Sequence, residues 1–109
     1  MIKALVNSSW ELFDIDELQP GTSVFNFETG LYETIRTRDH KPILLTSHLD
    51  RLFNSAKSTD LKTPFHRKEV ESMIIQVIES SPEPDQRVRV LLVPDKVIVY
   101  TMPLDLDYD

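Results

Sequence analysis

Within the stretch Thr46 to Lys57, TSHLDRLFNSAK, two residues can hold an anion. His48 and Arg51 lie three positions apart, which on a helix places them on adjacent turns of one face. That face is separate from the apolar stripe of Leu49, Leu52, Phe53 and Ala56, spaced i, i+3, i+4, i+7. A guanidinium is a planar fork of donors matched to carboxylate or phosphate oxygens, and an imidazole adds another donor. The preceding segment GLYETIRTR, Gly30 to Arg38, alternates as a strand: Leu31, Glu33, Ile35 and Thr37 on one face, Tyr32, Thr34, Arg36 and Arg38 on the other. Tyr32 and Arg36 are thereby expected to converge with His48 and Arg51 on an anion. A merely solvated helix face is the competing reading, and spacing alone leaves both open.

Other chemistries find less support. His40, His48 and His66 fall on a turn, a helix and a helix start, and none has a second ligand at a metal-site spacing. Asp105, Asp107 and Asp109 alternate in the tail without a folded loop to form an oxygen cage. The serines lack a Gly-x-Ser-x-Gly elbow. With no cysteine there is no disulfide framework, thiolate metal site or cysteine nucleophile. Only Gly21 and Gly30 are glycines, so a phosphate-cradling glycine loop is not expected, and side chains must do the holding.

The balance of 12 Lys+Arg against 18 Asp+Glu, a formal charge of −6, argues against a nucleic-acid surface. The start MIKALVNSSWELFD has neither the apolar length nor the cleavage pattern of a secretory signal, and no run approaches a membrane span. A cytoplasmic location is expected, with neither nucleic acid nor membrane as partner.

The elements that must position these residues fit one domain. At 109 residues the chain buries roughly two-thirds of its unfolded surface. KALV and WELF read as a hairpin around Asn7-Ser8-Ser9. Pro20-Gly21 marks a bend, and Ser23 to Phe27 is expected to extend. Asp39-His40 is a turn, and Pro42 to Leu45 returns as a partner strand. The helix that follows is expected to start on a Ser47/Asp50 capping box, or on Thr46, and to stop around Thr59-Asp60. A second helix runs from about His66 to Ser80, with Val70, Met73, Ile74, Val77 and Ile78 as its stripe and Glu69 and Glu71 near its positive end. SSPEPDQ reads as a linker too rich in proline and charge to pack. RVRVLLV and KVIVYTM form a hairpin around Pro94-Asp95, ahead of an acidic tail expected to fray. Strands, two helices, then strands predict an α+β fold: a two-layer small domain, its mostly antiparallel sheet packed on two helices.

TGLYETIRTRDHKPILLTSHLDRLFNSAK, Thr29 to Lys57, resembles the N-terminal region of class IV aminotransferases, the fold-type IV pyridoxal-phosphate enzymes. That family includes branched-chain and D-amino-acid aminotransferases and 4-amino-4-deoxychorismate lyase. The resemblance rests on a glycine, an apolar–aromatic pair, a glutamate and a short hairpin, followed at near-fixed distance by His-x-x-Arg-Leu-x-x-Ser-Ala. It continues more weakly through STDLKTPFHRKEVESMIIQVI into RVRVLLV. Two departures stand out: Glu28-Thr29-Gly30 where Gly-Asp-Gly is usual, and Pro94-Asp95 where several aminotransferases carry an arginine for the substrate carboxylate.

The resemblance implies that Arg51 binds the phosphate of pyridoxal phosphate, that Tyr32 lines the substrate side, and that His48 supports Arg51. Glu33 and Arg36 match the motif and are read as structural. In the family, the lysine that carries the cofactor and the glutamate facing its pyridine nitrogen belong to a second, C-terminal domain. None of Lys3, Lys41, Lys57, Lys62, Lys68 or Lys96 matches that lysine, so residues 1–109 are expected to be the small domain alone, without the catalytic one, and silent in isolation. The complete enzyme is expected to run transamination, or pyruvate elimination from an aminodeoxychorismate-type substrate. A non-catalytic remnant serving dimerisation or protein interaction is the alternative. Under either reading a homo-oligomer, a dimer, is expected, because apolar surface left by a missing domain must be covered.

Overall fold

In the computed structural model, residues 2–14, 16, 30–61 and 65–103 are described. The strands are β1 (Ile2–Val6), β2 (Ser9–Phe13), β3 (Leu31–Arg38), β4 (Lys41–Pro42), β5 (Gln86–Val93) and β6 (Lys96–Pro103). The helices α1 (Leu45–Ser58) and α2 (Arg67–Glu79) lie between β4 and β5 in sequence. All six strands form one sheet in the order β2-β1-β6-β5-β3-β4, with every neighbouring pair antiparallel. This is the α+β arrangement expected from the order of the elements. The bend at Pro20-Gly21, the extension of Ser23 to Phe27 and the tail after Pro103 lie outside the described residues.

Both helices pack on one face of the sheet. Ile35 of β3 and Val88, Val90 and Leu92 of β5 point that way and meet Leu49, Leu52 and Ala56 of α1 and the five stripe residues of α2 in one cluster. The helical spacing of those stripes accounts for the packing, and each fully buried aliphatic side chain contributes about 1.5–3 kcal/mol. Phe53, the fourth residue of the α1 stripe, is only half-buried at the margin of this core. The opposite face carries a second cluster of Ala4, Val6, Leu91, Val93, Ile98 and Tyr100. β5 therefore reads as a nearly continuous apolar run because both of its faces are covered.

The tight turns use left-handed residues other than glycine. Asn7 and Ser8 (φ 49° and 72°) join β1 to β2, and Asp39 and His40 (φ 52° and 61°) join β3 to β4. Positive φ at both central positions matches the right-handed twist of the flanking strands. Asn7 is also fixed by its side chain, which accepts from Val97 N–H at 2.9 Å and donates to the Asp95 carbonyl at 3.3 Å.

Three expectations need correction. The strand after the turn is only Lys41–Pro42; Ile43 and Leu44 turn away, and Leu45 already opens α1. Ile43 N–H still donates to the Arg36 carbonyl at 2.8 Å, but Leu44 enters the left-handed region (φ 56°) and breaks the ladder. The helix start uses neither Thr46 nor a Ser47/Asp50 box. Leu44 is the N-cap and no side chain caps it. Asp50 is instead paired with Arg67 at the start of α2, whose guanidinium also donates to the Thr46 carbonyl at 3.0 Å. A cross-helix ion pair thus takes the Asp50 carboxylate that a local capping box would have used.

The third correction concerns SSPEPDQ: Pro82 to Asp85 stay exposed, but hydrogen bonds tie the segment down and its last residue is buried. Pro84 O accepts from His40 N–H at 2.8 Å and from the Thr37 hydroxyl at 3.1 Å. Gln86 is buried as the first residue of β5. Its amide nitrogen donates to the Ile78 and Glu83 carbonyls at 3.0 and 2.6 Å, and its oxygen accepts from the Thr101 hydroxyl at 2.7 Å. One side chain thereby joins the end of α2, the loop and β6. Gln86→Ala leaves these buried groups unpaired and is expected to lower unfolding free energy by about 2–3 kcal/mol, read from the urea midpoint.

Candidate functional site

The carboxylate of Glu33, not a free anion, is the point on which α1 and β3 meet. Glu33 shares its face of β3 with Leu31 and Ile35, which packing turns toward the helices. Its side chain is only 12% exposed and lies under α1. His48 Nδ1 is 2.6 Å from Oε1, Arg51 Nη2 is 2.8 Å from the same oxygen, and Arg51 Nε is 3.1 Å from Oε2. The result is a two-pronged arginine–carboxylate pair with an imidazole on the shared oxygen.

At 2.6 Å from a carboxylate oxygen, His48 Nδ1 must carry the proton and donate it. The 3.1 Å approach of Arg51 Nη2 to Nδ1 is then two donors side by side on one acceptor. Nδ1–H leaves Nε2 of His48 facing away from the carboxylate. Arg51 itself remains 64% exposed despite the pair.

Burial pushes the Glu33 carboxyl up, but the hydrogen bonds and charges of Arg51 and His48 outweigh it and hold the group below the usual carboxylate range. The same bonds raise Arg51 above its ordinary value. Glu33 is therefore the charged partner throughout the neutral range.

Tyr32 stands on the other side of the sheet. It pairs in register with Leu91, a residue of the second cluster, so the strand alternation sends it away from α1. Tyr32 and Arg36 therefore do not share a face with His48 and Arg51 as expected; Arg36 meets His48 only across the outer edge of β3. The apolar residues Leu31 and Ile35 decide which face the helices cover, and Glu33 goes with them. Tyr32 is half-exposed, with the Arg89 guanidinium 5.7 Å from its ring centroid, within cation–π range. Arg89 sits opposite Tyr100 in the β5–β6 ladder. Arg89 Nε and the Tyr100 hydroxyl are both buried, and neither meets a partner at hydrogen-bond geometry among the described residues. Burial pushes the Tyr100 phenol up, and the neighbouring Arg89 only partly offsets this. Arg36 and Arg87 lie opposite one another on this same face, and with Arg38 and Arg89 they give it four arginines in a chain of net charge −6.

The two sides meet at the outer edge of β3. Only Thr37 and Arg38 pair with β4 there. An open groove of about 280 Å³ follows that edge, lined by Thr34 and Arg36 from one face, His48 from the other, and Ile43 and Leu44. Sequence reasoning passed over Glu33 as structural and did not single out Arg89. The apolar company of Glu33 would have exposed the first; the second depends on the register between β3 and β5. Among the described residues, no group of three or more His, Asp or Glu is placed to hold a metal ion, and no helix is long and apolar enough to cross a membrane.

A family model described as amino-transferase class IV matches residues 30–101, the segment containing β3, α1, α2, β5 and most of β6. The chain belongs to the class IV aminotransferase family. Over 82 residues it is 28% identical to a putative branched-chain-amino-acid aminotransferase of Methanocaldococcus jannaschii, covering 72% of this chain and 28% of that protein. Its fold matches the branched-chain amino acid aminotransferase of Escherichia coli, with a TM-score of 0.73 and 19% identity over 94% of this chain and 41% of the other. A branched-chain enzyme from T.th., solved with N-(5'-phosphopyridoxyl)-L-glutamate, gives 0.74 at 20% identity, with 94% and 40% covered. A putative 4-amino-4-deoxychorismate lyase from Legionella pneumophila gives 0.62 at 20% identity, with 83% and 40% covered. This class IV chain therefore spans well under half the length of these relatives.

The Glu33 pair has a testable consequence for this family member. A carboxyl held below its unfolded value of 4.5 means that the unfolded chain binds the proton more readily. Stability then rises with pH across that interval, and the contribution is lost as pH falls below about 4.5 and through the folded value. Glu33→Gln should flatten this acid limb of the stability–pH curve, measured by urea unfolding from neutral pH down through the acid range.

Proposed function

We propose that residues 1–109 form the small domain of a longer, pyridoxal-phosphate-dependent class IV enzyme that is cytoplasmic and dimeric. The complete enzyme transfers an amino group between an amino acid and a keto acid, or eliminates pyruvate from an aminodeoxychorismate-type substrate. The observation that carries this reading is Arg51: it is anchored by Glu33 yet 64% exposed at the rim of the sheet, as a receptor for an outside anion must be. The donor set fits a phosphate monoester, with a guanidinium fork beside an imidazole.

In this reading Arg51 binds the cofactor phosphate and His48 supports it. Tyr32, on the far side of β3, forms part of the wall of the substrate pocket. Arg89, its guanidinium 5.7 Å from the Tyr32 ring centroid, supplies positive charge for a carboxylate on the substrate. The cofactor, when bound, supplies the electron sink for chemistry at the substrate's α-carbon. The chain's own residues orient and bind; the lysine that carries the cofactor is assigned to a second domain, so these residues alone are expected to be inactive.

A second reading, a remnant that dimerises or binds a protein, draws on the exposed apolar side chains Trp10, Leu12, Ile43 and Leu44. The two readings separate on one variant. Arg51→Ala should weaken pyridoxal phosphate binding by at least about tenfold in an absorbance or fluorescence titration, since it removes the charge-assisted bonds to the phosphate. The remnant reading expects no change in cofactor affinity and unchanged self-association by analytical ultracentrifugation.

A further inference from the structure

The geometry points to Glu33 as a positioning residue that turns Arg51 into a directed phosphate receptor rather than a mobile surface charge. This rests on the phosphate-site reading of Arg51 and adds to it which atoms receive the anion and what holds them.

Glu33 takes only some of the donors that Arg51 carries. Its two oxygens engage Nε and Nη2 of Arg51, the side edge of the guanidinium. A guanidinium carries five N–H bonds, so the end edge formed by Nη1 and Nη2 keeps one outward N–H on each nitrogen. Those two parallel donors suit a phosphate's oxygens. Had Glu33 taken the end edge, the same ion pair would have consumed the receptor.

His48 is set by the same carboxylate. Its Nδ1–H is spent on Glu33 Oε1, which fixes the ring and leaves Nε2 as the only nitrogen able to meet a ligand. Nε2 carrying a proton donates to a phosphate dianion; without one it accepts from a protonated phosphate oxygen. One carboxylate under α1 thus orders two ligand-facing groups from that helix together.

Electrostatics alone would argue the other way. Glu33 cancels the charge of Arg51, and a negative group near a phosphate site should weaken it. Against that, a free arginine is among the side chains that lose most rotamer freedom when immobilised. Glu33 has already restricted Arg51 by fixing its guanidinium, and the bidentate geometry leaves the phosphate less ordering to do. An exposed arginine keeps water on its outer edge, so screening weakens the Glu33 repulsion more than the geometric gain.

The test uses the protein labelled with ¹⁵N, and inorganic phosphate as the probe. In the wild type the Arg51 Nε–H should relax like ordered backbone, with an order parameter of about 0.85; in Glu33→Gln it should fall below roughly 0.6. Phosphate affinity should drop about tenfold in Glu33→Gln. In an Arg51→Met background the same Glu33→Gln change should cost nothing further, because its effect passes through the arginine. A merely structural glutamate would lower stability and weaken phosphate binding equally in both backgrounds, which overturns the proposal. So does an Arg51 Nε–H already mobile in the wild type, or a Glu33→Gln variant that binds phosphate as tightly or more tightly. Should Arg51→Met leave phosphate affinity unchanged, the phosphate-site reading fails and the role assigned to Glu33 fails with it. The relaxation data still report separately whether Glu33 holds the arginine.

Discussion

Packing of α1 onto the Glu33 face of β3 is the constraint from which the rest of the arrangement follows. Ile35 and the α1 residues Leu49 and Leu52 exclude water along this seam. Their burial fixes the roll of the helix about its axis. Once that roll is set, His48 and Arg51 have one place to go, over the carboxylate at the seam's margin. The ion pair does not hold the helix in place; partly solvated pairs contribute little. The apolar seam holds the helix, and the polar triad inherits its geometry.

β3 serves two environments because its side chains alternate. One side feeds the core and the Glu33 cluster. The other carries Tyr32 and Arg36, beside Arg87 and Arg89 of β5. Its outer edge is left unpaired by β4 from Leu31 through Ile35. A ligand lying along that edge can therefore touch α1 with one end and the arginine-bearing face with the other, without any residue having to reach through the sheet. The chain belongs to the class IV aminotransferase family and shares its fold with branched-chain enzymes and a lyase-type relative.

Much of this was legible in the sequence because it is written in periodicity. The alternation of Leu31 to Arg38, the stripes at Leu49, Leu52 and Ala56 and at Val70 to Ile78, and the turns at Asn7-Ser8 and Asp39-His40 are local signals, and they appear as read. The pairing of His48 with Arg51 is also local. What failed was tertiary. Asp50 looks like a capping-box carboxylate until Arg67, seventeen residues beyond it, claims it. Gln86 looks solvated at the end of a proline-rich run, and only the arrival of Ile78 and Thr101 makes it a buried clamp. Grouping Tyr32 with Arg51 overlooks that the same alternation places Glu33, not Tyr32, with the apolar residues. The information is present there, and the covering helix is what gives it meaning.

The left-handed turns carry a different implication. Asn7, Ser8, Asp39, His40, Leu44, Asp60 and Asp95 all adopt positive φ, in a chain with two glycines. Each such residue stores backbone strain that glycine would release, while a Cβ narrows the choices of the unfolded chain. Most of these positions lie away from the Glu33 cluster, in turns that touch none of its three residues. Mutational drift in those turns can thus tune the lifetime of the fold without crossing the path of selection on ligand binding. The molecule separates its robustness from its specificity along the chain, a partition that lets one evolve while the other stands still.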